Sequence, residues 1–197
     1  MGTWIWLASD LMFFAALFAA YFMIRQFTND LAATPSESLW AQMTTHLNFP
    51  FALANTTILV LSSITCQIGV HNAEHGKVKR SGSLFNIAQW GMREWYILTF
   101  LMGSVFIAGQ VTEYAELIHE GWTISSNVYF SAFFLATGFH GIHVLAGLFA
   151  FLFTLARTYM TRTFTREQTV TAMAVSYYWH FVDLIWIILF SVIYLLR

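Results

Sequence analysis

Ser176-Tyr177-Tyr178-Trp179-His180-Phe181-Val182-Asp183-Leu184-Ile185-Trp186 lies deep inside an apolar run that reaches from about Thr169 to Leu196. A lone segment in hydrocarbon can satisfy its backbone only as a helix. In a helix His180 and Asp183, three residues apart, share a face. Such groups are costly in a membrane unless they face protein or water and find partners. Candidate partners stand in a second apolar run, at His140 and His143 in Thr137-Gly138-Phe139-His140-Gly141-Ile142-His143.

Composition says the same of the rest. The chain has 197 residues, 58% hydrophobic and 18% aromatic, and only 10% charged. An ordinary soluble domain carries about 25% charged residues. The mean hydropathy is +0.62, the level of an integral membrane protein. A net charge of −1 gives no nucleic-acid signature. The one cysteine, Cys66, forms no internal disulfide and says little about redox compartment.

A spanning helix needs roughly 20 mostly apolar residues. Five segments meet that length, at about 3–24, 50–70, 94–111, 128–156 and 169–196. Alternating apolar and polar strands, the mark of a membrane barrel, do not occur. The expected fold is therefore all-α: a bundle of five transmembrane helices forming a single domain over residues 1–197. The first segment has no basic region before it and no small-residue cleavage site after it, so it reads as a span and not a signal peptide.

The basic residues orient the bundle. Lys77, Lys79, Arg80 and Arg93 fall between spans two and three, and Arg157, Arg162 and Arg166 between spans four and five. Only Arg25 and Arg197 of the nine fall on the other side. The richer side is cytoplasmic, which puts the N-terminus inside and the C-terminus outside. Trp4, Trp6, Trp90, Trp95 and Trp122 sit near span ends, as interfacial aromatics do.

At about 1.5 Å per residue, His140 lies ~18 Å and Asp183 ~21 Å into their spans. Both depths are near the middle of a ~30 Å core. His140, His143, His180 and Asp183 can then meet at one level between two helices. Three readings are open for them. One is a metal or haem site, because His-x-x-His opposite His-x-x-Asp offers N and O ligands. Another is a proton or ion relay. The third, which the sequence favours, is a structural hydrogen-bond network that ties helices together. Asp10 stands alone in span one. Its carboxyl is either protonated and bonded to a neighbouring helix, turned to a water-filled or lipid-headgroup cleft, or set against another subunit. Gln110 and Glu113 share a face near the outer end of span three, with Tyr114 beside them, and read as a further network.

Several stretches resemble signature motifs of subunit III of the haem–copper cytochrome c oxidases. They are Ala136-Thr137-Gly138-Phe139-His140-Gly141-Ile142-His143-Val144 and Tyr178-Trp179-His180-Phe181-Val182-Asp183. Gln110-x-x-Glu113-Tyr114, Thr123-Ile124-Ser125-Ser126-Asn127-Val128-Tyr129 and Ser9-Asp10-Leu11-Met12-Phe13-Phe14 match as well. The match covers spans one and three to five, in the family's order, and is close to short bacterial forms, pointing to an actinobacterial type.

The resemblance implies a subunit with no catalytic residue and no cofactor of its own. Haem and copper would sit in partner subunits. The chain would stabilise the catalytic subunit I, support its proton uptake and hold phospholipid in a cleft. Its partners would be subunits I and II and small accessory subunits, in a bacterial cytoplasmic membrane, with membership of a larger respiratory supercomplex left open. Two departures stand out. The family's larger members have seven helices and this chain five, without the pair that walls the cleft. The family also usually places a glutamate where Asp10 stands. Two alternatives remain beside this reading. One is the same fold in a quinol oxidase or beside a nitric-oxide reductase. The other is an independent ion-coupled transporter.

Overall fold

The computed structural model describes residues 2–32, 34, 38–82, 86–161 and 164–196. Arg162 and Arg197, two of the basic residues used for orientation, lie outside them. Among the described residues, five helices are long and apolar enough to cross a membrane. They are α1 (Gly2–Asp30), α3 (Phe49–Glu74), α4 (Met92–His119), α5 (Val128–Met160) and α6 (Arg166–Phe190). α6 continues as a π-helical turn, Ser191–Leu195. A short α2 (Leu39–Met43) precedes α3. No strand occurs among the described residues.

Each helix runs past the span that hydropathy marks, because backbone bonding does not stop where apolar residues do. The ends are set by local chemistry. Gly76, at φ 70°, closes α3, and Gly121, at φ 89°, closes α4. In each case the glycine N–H reaches the carbonyl three residues back and the next N–H the carbonyl five back: Gly76 to Ala73 and Lys77 to Asn72, Gly121 to Ile118 and Trp122 to Leu117. That is the Schellman pattern, which needs a left-handed residue that only glycine adopts without strain. Starts are capped by side chains. Asn48 Oδ1 accepts from Phe51 N (3.3 Å) and Asn127 Oδ1 from Phe130 N (2.9 Å), each satisfying a donor the helix cannot. Pro50 sits in the first turn of α3, where a missing N–H costs nothing.

The chain groups into two compact units. One comprises Met1–Ala54, Gly109–Ile142 and Leu184–Arg197, the other Asn55–Ala108 and His143–Asp183.

In the first unit α1 buries one narrow seam. Leu7, Phe14 and Tyr21 are buried, and Thr3, Asp10, Leu17 and Ile24 between them are half-buried. The spacing alternates four and three, the a/d pattern of a left-handed helix contact. Most of the rest of α1 is exposed and apolar, as in Ile5, Met12 and Met23, which suits a helix facing lipid or a neighbouring subunit. Below the seam Trp40 Nε1 donates to Tyr21 Oη (2.8 Å). The Trp40 ring meets Tyr129 edge-on at 5.1 Å.

In the second unit the fully buried Trp179 sits against two glycines. A Cβ on Gly103 would lie 2.6 Å from its Cη2, and one on Gly147 would lie 2.9 Å from its Cε3. Small residues let membrane helices approach this closely. Tyr96 Oη donates to the Ala172 carbonyl (2.9 Å), adding a bond between α4 and α6.

Candidate functional site

Three polar side chains of α6 in the second unit, those of Trp179, His180 and Asp183, are held by α3. Trp179 Nε1 donates to Ser62 Oγ (2.9 Å). Ser63 Oγ donates to Asp183 Oδ2 (2.8 Å). His180 Nε2 lies 3.2 Å from Gln67 Oε1. Ser63 and Gln67 are four apart on α3, and His180 and Asp183 three apart on α6. The order is reversed between the two helices, so the pairs close like a zipper between antiparallel neighbours. Asp183 is buried, and its Oδ1 has no hydrogen-bond partner among the described residues.

The sequence looked to His140 and His143 on α5 for these partners; the hydrogen bonds described for His180 and Asp183 run to Ser63 and Gln67. Serine and glutamine in an apolar run carry no titratable signal, so only their i, i+4 spacing hinted at a shared face. His143 is half-buried and its carbonyl accepts from Tyr178 Oη (2.9 Å). His140 belongs to the first unit. It is 1% exposed, and its ring stacks on Trp186 with centroids 4.8 Å apart. Among the described residues, no three His, Cys, Asp or Glu side chains stand close enough together to hold a metal ion.

Removing Ser63 costs more than the bond itself, because Asp183 then stays buried with neither carboxyl oxygen hydrogen-bonded among the described residues. We expect Ser63→Ala to lower the stability of the assembled protein by about 1–3 kcal/mol, the cost of an unsatisfied buried polar group. Asp183→Asn should leave turnover per haem close to wild type while reducing the yield of intact complex. Heme-normalised oxygen uptake beside the recovered yield measures both, and normal yield with lost turnover would restore the relay reading.

A second polar group lies in the first unit. Glu113, 5% exposed, accepts from Tyr194 Oη at 2.6 Å and from Gln110 Nε2 at 3.4 Å. Tyr194 is carried by the π turn, whose widened ring shows as the Leu196 N–H bonding to the Ser191 carbonyl (3.0 Å). Such turns recur where a side chain must be re-aimed. Tyr114 Oη lies 2.6 Å from Thr137 Oγ1. Thr137 already donates to the Phe133 carbonyl (2.7 Å), so Tyr114 is the donor to Thr137. Gln110 and Glu113 thus share one network, and the hydrogen bond described for Tyr114 makes another. Asp10 sits on the packed seam of α1, half-buried.

A family model described as cytochrome c oxidase subunit III matches residues 1–197. The chain belongs to the cytochrome c oxidase subunit III family. As such it is a subunit of a haem–copper oxidoreductase complex. It is 49% identical, over all of its length and 87% of the relative's, to a probable cytochrome c oxidase subunit 3 of Nocardia farcinica. With the same coverage it is 47% identical to a probable cytochrome c oxidase subunit 3 of Mycobacterium tuberculosis. A cytochrome bo(3) ubiquinol oxidase subunit 3 of Pseudomonas aeruginosa is more distant, at 33% identity over 99% of this chain and 83% of that protein.

Proposed function

We propose that this subunit III serves a cytochrome c oxidase of the bacterial cytoplasmic membrane, with its N-terminus inside. It packs beside subunit I, in a complex with subunit II and accessory subunits, and it stabilises the catalytic subunit while supporting proton uptake there. Electron transfer from cytochrome c to oxygen is the work of haem and copper held by the partners. The observation that carries this reading is the gap in identity. Relatives named cytochrome c oxidase subunit 3 reach 46–49%, and those named for quinol oxidases 30–33%.

The geometry supports a scaffolding role. Asp183 and Glu113 are engaged by a hydroxyl from another part of the chain, Ser63 and Tyr194, and so contribute to helix contact. Asp10 is placed differently. It stands midway between Leu7 and Phe14 on the seam of α1, where its short side chain reaches toward packed protein and any lipid or water held there.

Affinity purification through this chain in mild detergent tests the proposal. Haem-bearing subunits should co-purify, and reduced cytochrome c should drive oxygen uptake. Migration of the chain alone would refute it, and uptake driven only by quinol would move it to the quinol oxidases. Asp10→Ala should leave assembly near normal but shorten the functional lifetime of the enzyme during turnover. An unchanged lifetime would count against proton supply through Asp10.

A further inference from the structure

α3 closes on His71-Asn72-Ala73-Glu74-His75, just before the left-handed Gly76. Both histidines are exposed, so neither fills a core. Four residues apart, they share one face, and their ring centroids are 4.2 Å apart with the planes at 49°. His75 Nδ1 lies 2.8 Å from the His71 carbonyl oxygen. A carbonyl oxygen only accepts, so Nδ1 carries the proton and Nε2 keeps a bare lone pair. Metal-bound histidines are oriented in this way, with the second ring nitrogen donating to a backbone carbonyl or carboxylate. The contact described for the His71 ring is with the His75 ring, and its nitrogens are open to a ligand.

The backbone beneath the pair is held. The His75 N–H donates to the His71 carbonyl (3.2 Å), that of Gly76 to Ala73 (3.1 Å) and that of Lys77 to Asn72 (2.8 Å). Asn72 Nδ2 donates to the Trp90 carbonyl (3.1 Å), tying the helix end to the segment before α4. A helix C-terminus carries partial negative charge and favours a cation. The nearest cations in sequence, Lys77 and Lys79, line a cavity with Arg93 and Thr158 that neither histidine borders.

We propose that His71 and His75 form a clamp for a divalent transition-metal ion from the copper–zinc end of the series. Imidazole nitrogen suits copper and zinc, whereas calcium and magnesium take oxygen ligands. Metal–nitrogen bonds of about 2.0–2.1 Å put two ligand nitrogens about 3 Å apart on one ion. Rings whose centres are 4.2 Å apart reach that spacing with a small turn of the exposed His71 side chain. The clamp supplies two ligands, in keeping with the absence of any three gathered His, Cys, Asp or Glu side chains among the described residues. Water or a donor from a neighbouring subunit completes the coordination shell. Such an ion is exchangeable and sits at the surface of this chain, apart from the haem and copper of electron transfer. The clamp uses neither Asp10 nor the Asp183 and Glu113 networks.

The experiment takes the complex purified through this chain, clears loosely held metal with a chelator and equilibrates it with Zn²⁺. Elemental analysis counts zinc per haem. Wild type should hold one more equivalent than His71→Ala or His75→Ala. An outer-shell partner is worth ~10–100-fold in metal affinity, so the loss of a ligand should weaken apparent binding by at least ~10-fold. Cu²⁺ added to the oxidised complex should bind more tightly than Zn²⁺. It should give a new electron paramagnetic resonance signal split by two nitrogens, absent from both variants. Glu74→Gln keeps both imidazoles and should bind as wild type. All three residues are exposed, so these variants keep the fold, and the haem content of the purified complex checks that. Equal zinc in wild type and in both histidine variants would overturn the proposal. So would a loss in only one of them, which would mark a single-histidine site, or an equal loss in Glu74→Gln.

Discussion

Gly103→Val will cost this protein more than removal of any of its intramembrane carboxylates. The Cβ of any larger residue at this position would sit 2.6 Å from Trp179 Cη2, 2.8 Å from Leu148 Cδ2 and 3.0 Å from Trp179 Cζ2. Real side-chain carbons do not approach that closely, so one of the three elements has to move. Trp179 has no room to give. It is fully buried, its far edge lies against Gly147, and its Nε1 is tied to Ser62. Overpacking a well-filled site costs about 1–3 kcal/mol, and valine adds two methyl groups beyond the clashing carbon. In a chain of this length that corresponds to a fall of roughly 2–4 °C in Tm per kcal/mol. The expected result is a sharp loss of assembled complex with normal turnover per haem in what survives.

A second substitution separates this explanation from a general intolerance of α4. Trp179→Phe removes the ring atoms that position 103 would strike. By itself it is destabilising, through the cavity it leaves and the lost bond to Ser62. Combined with Gly103→Val, it should be less harmful than the two effects added. Residues in contact couple by about 0.5–3 kcal/mol. Thermal unfolding of the four proteins in the same detergent closes the cycle, and strict additivity would show that the glycine is needed for something other than the indole.

The architecture was readable because its driving pattern is long-range in sequence but simple in kind: runs of apolar residues long enough to span hydrocarbon. The helix ends were less so. Hydropathy stops at the first charges, whereas α1 continues past Arg25 to Asp30 and α4 past Glu113 and Glu116 to His119. The stop signals were present as Gly76 and Gly121, which act through backbone conformation and not polarity. The His-x-x-Asp pair on α6 was visible as a site that needs partners, but depth along a helix says nothing about azimuth. Ser63 and Gln67 took that role because α3 presents them on the facing side. Arg93 was counted as a loop charge for orientation. Its burial depends on Thr158 and Tyr159, some 65 residues away, a contact that no local pattern announces. The seam of α1 is a similar case: the helix is apolar on nearly every face, so nothing in the sequence separates buried Leu7, Phe14 and Tyr21 from exposed Ile5, Met12 and Met23.

Tyr194→Phe is the second large effect, and it bears on whether Glu113 works as a charge carrier or as a brace. Tyr194 Oη is the close donor to the Glu113 carboxyl, at 2.6 Å, whereas Gln110 Nε2 is 3.4 Å away. Removing the hydroxyl leaves a buried carboxyl with one weak partner. An unsatisfied buried polar group costs about 1–3 kcal/mol. Glu113→Gln should be milder, because the amide oxygen still accepts from Tyr194. The double variant Glu113→Leu/Tyr194→Phe should recover most of the lost stability, since replacing both partners with apolar groups removes the orphan. If the pair is a brace, all three variants will keep normal oxygen uptake per haem, and their order of stability will follow hydrogen-bond satisfaction. If Glu113 instead passes protons, Glu113→Leu/Tyr194→Phe will be stable and slow. Heat-induced loss of the complex, set beside turnover at several pH values, distinguishes these outcomes. The bracing account predicts that the stable double variant is also the fast one.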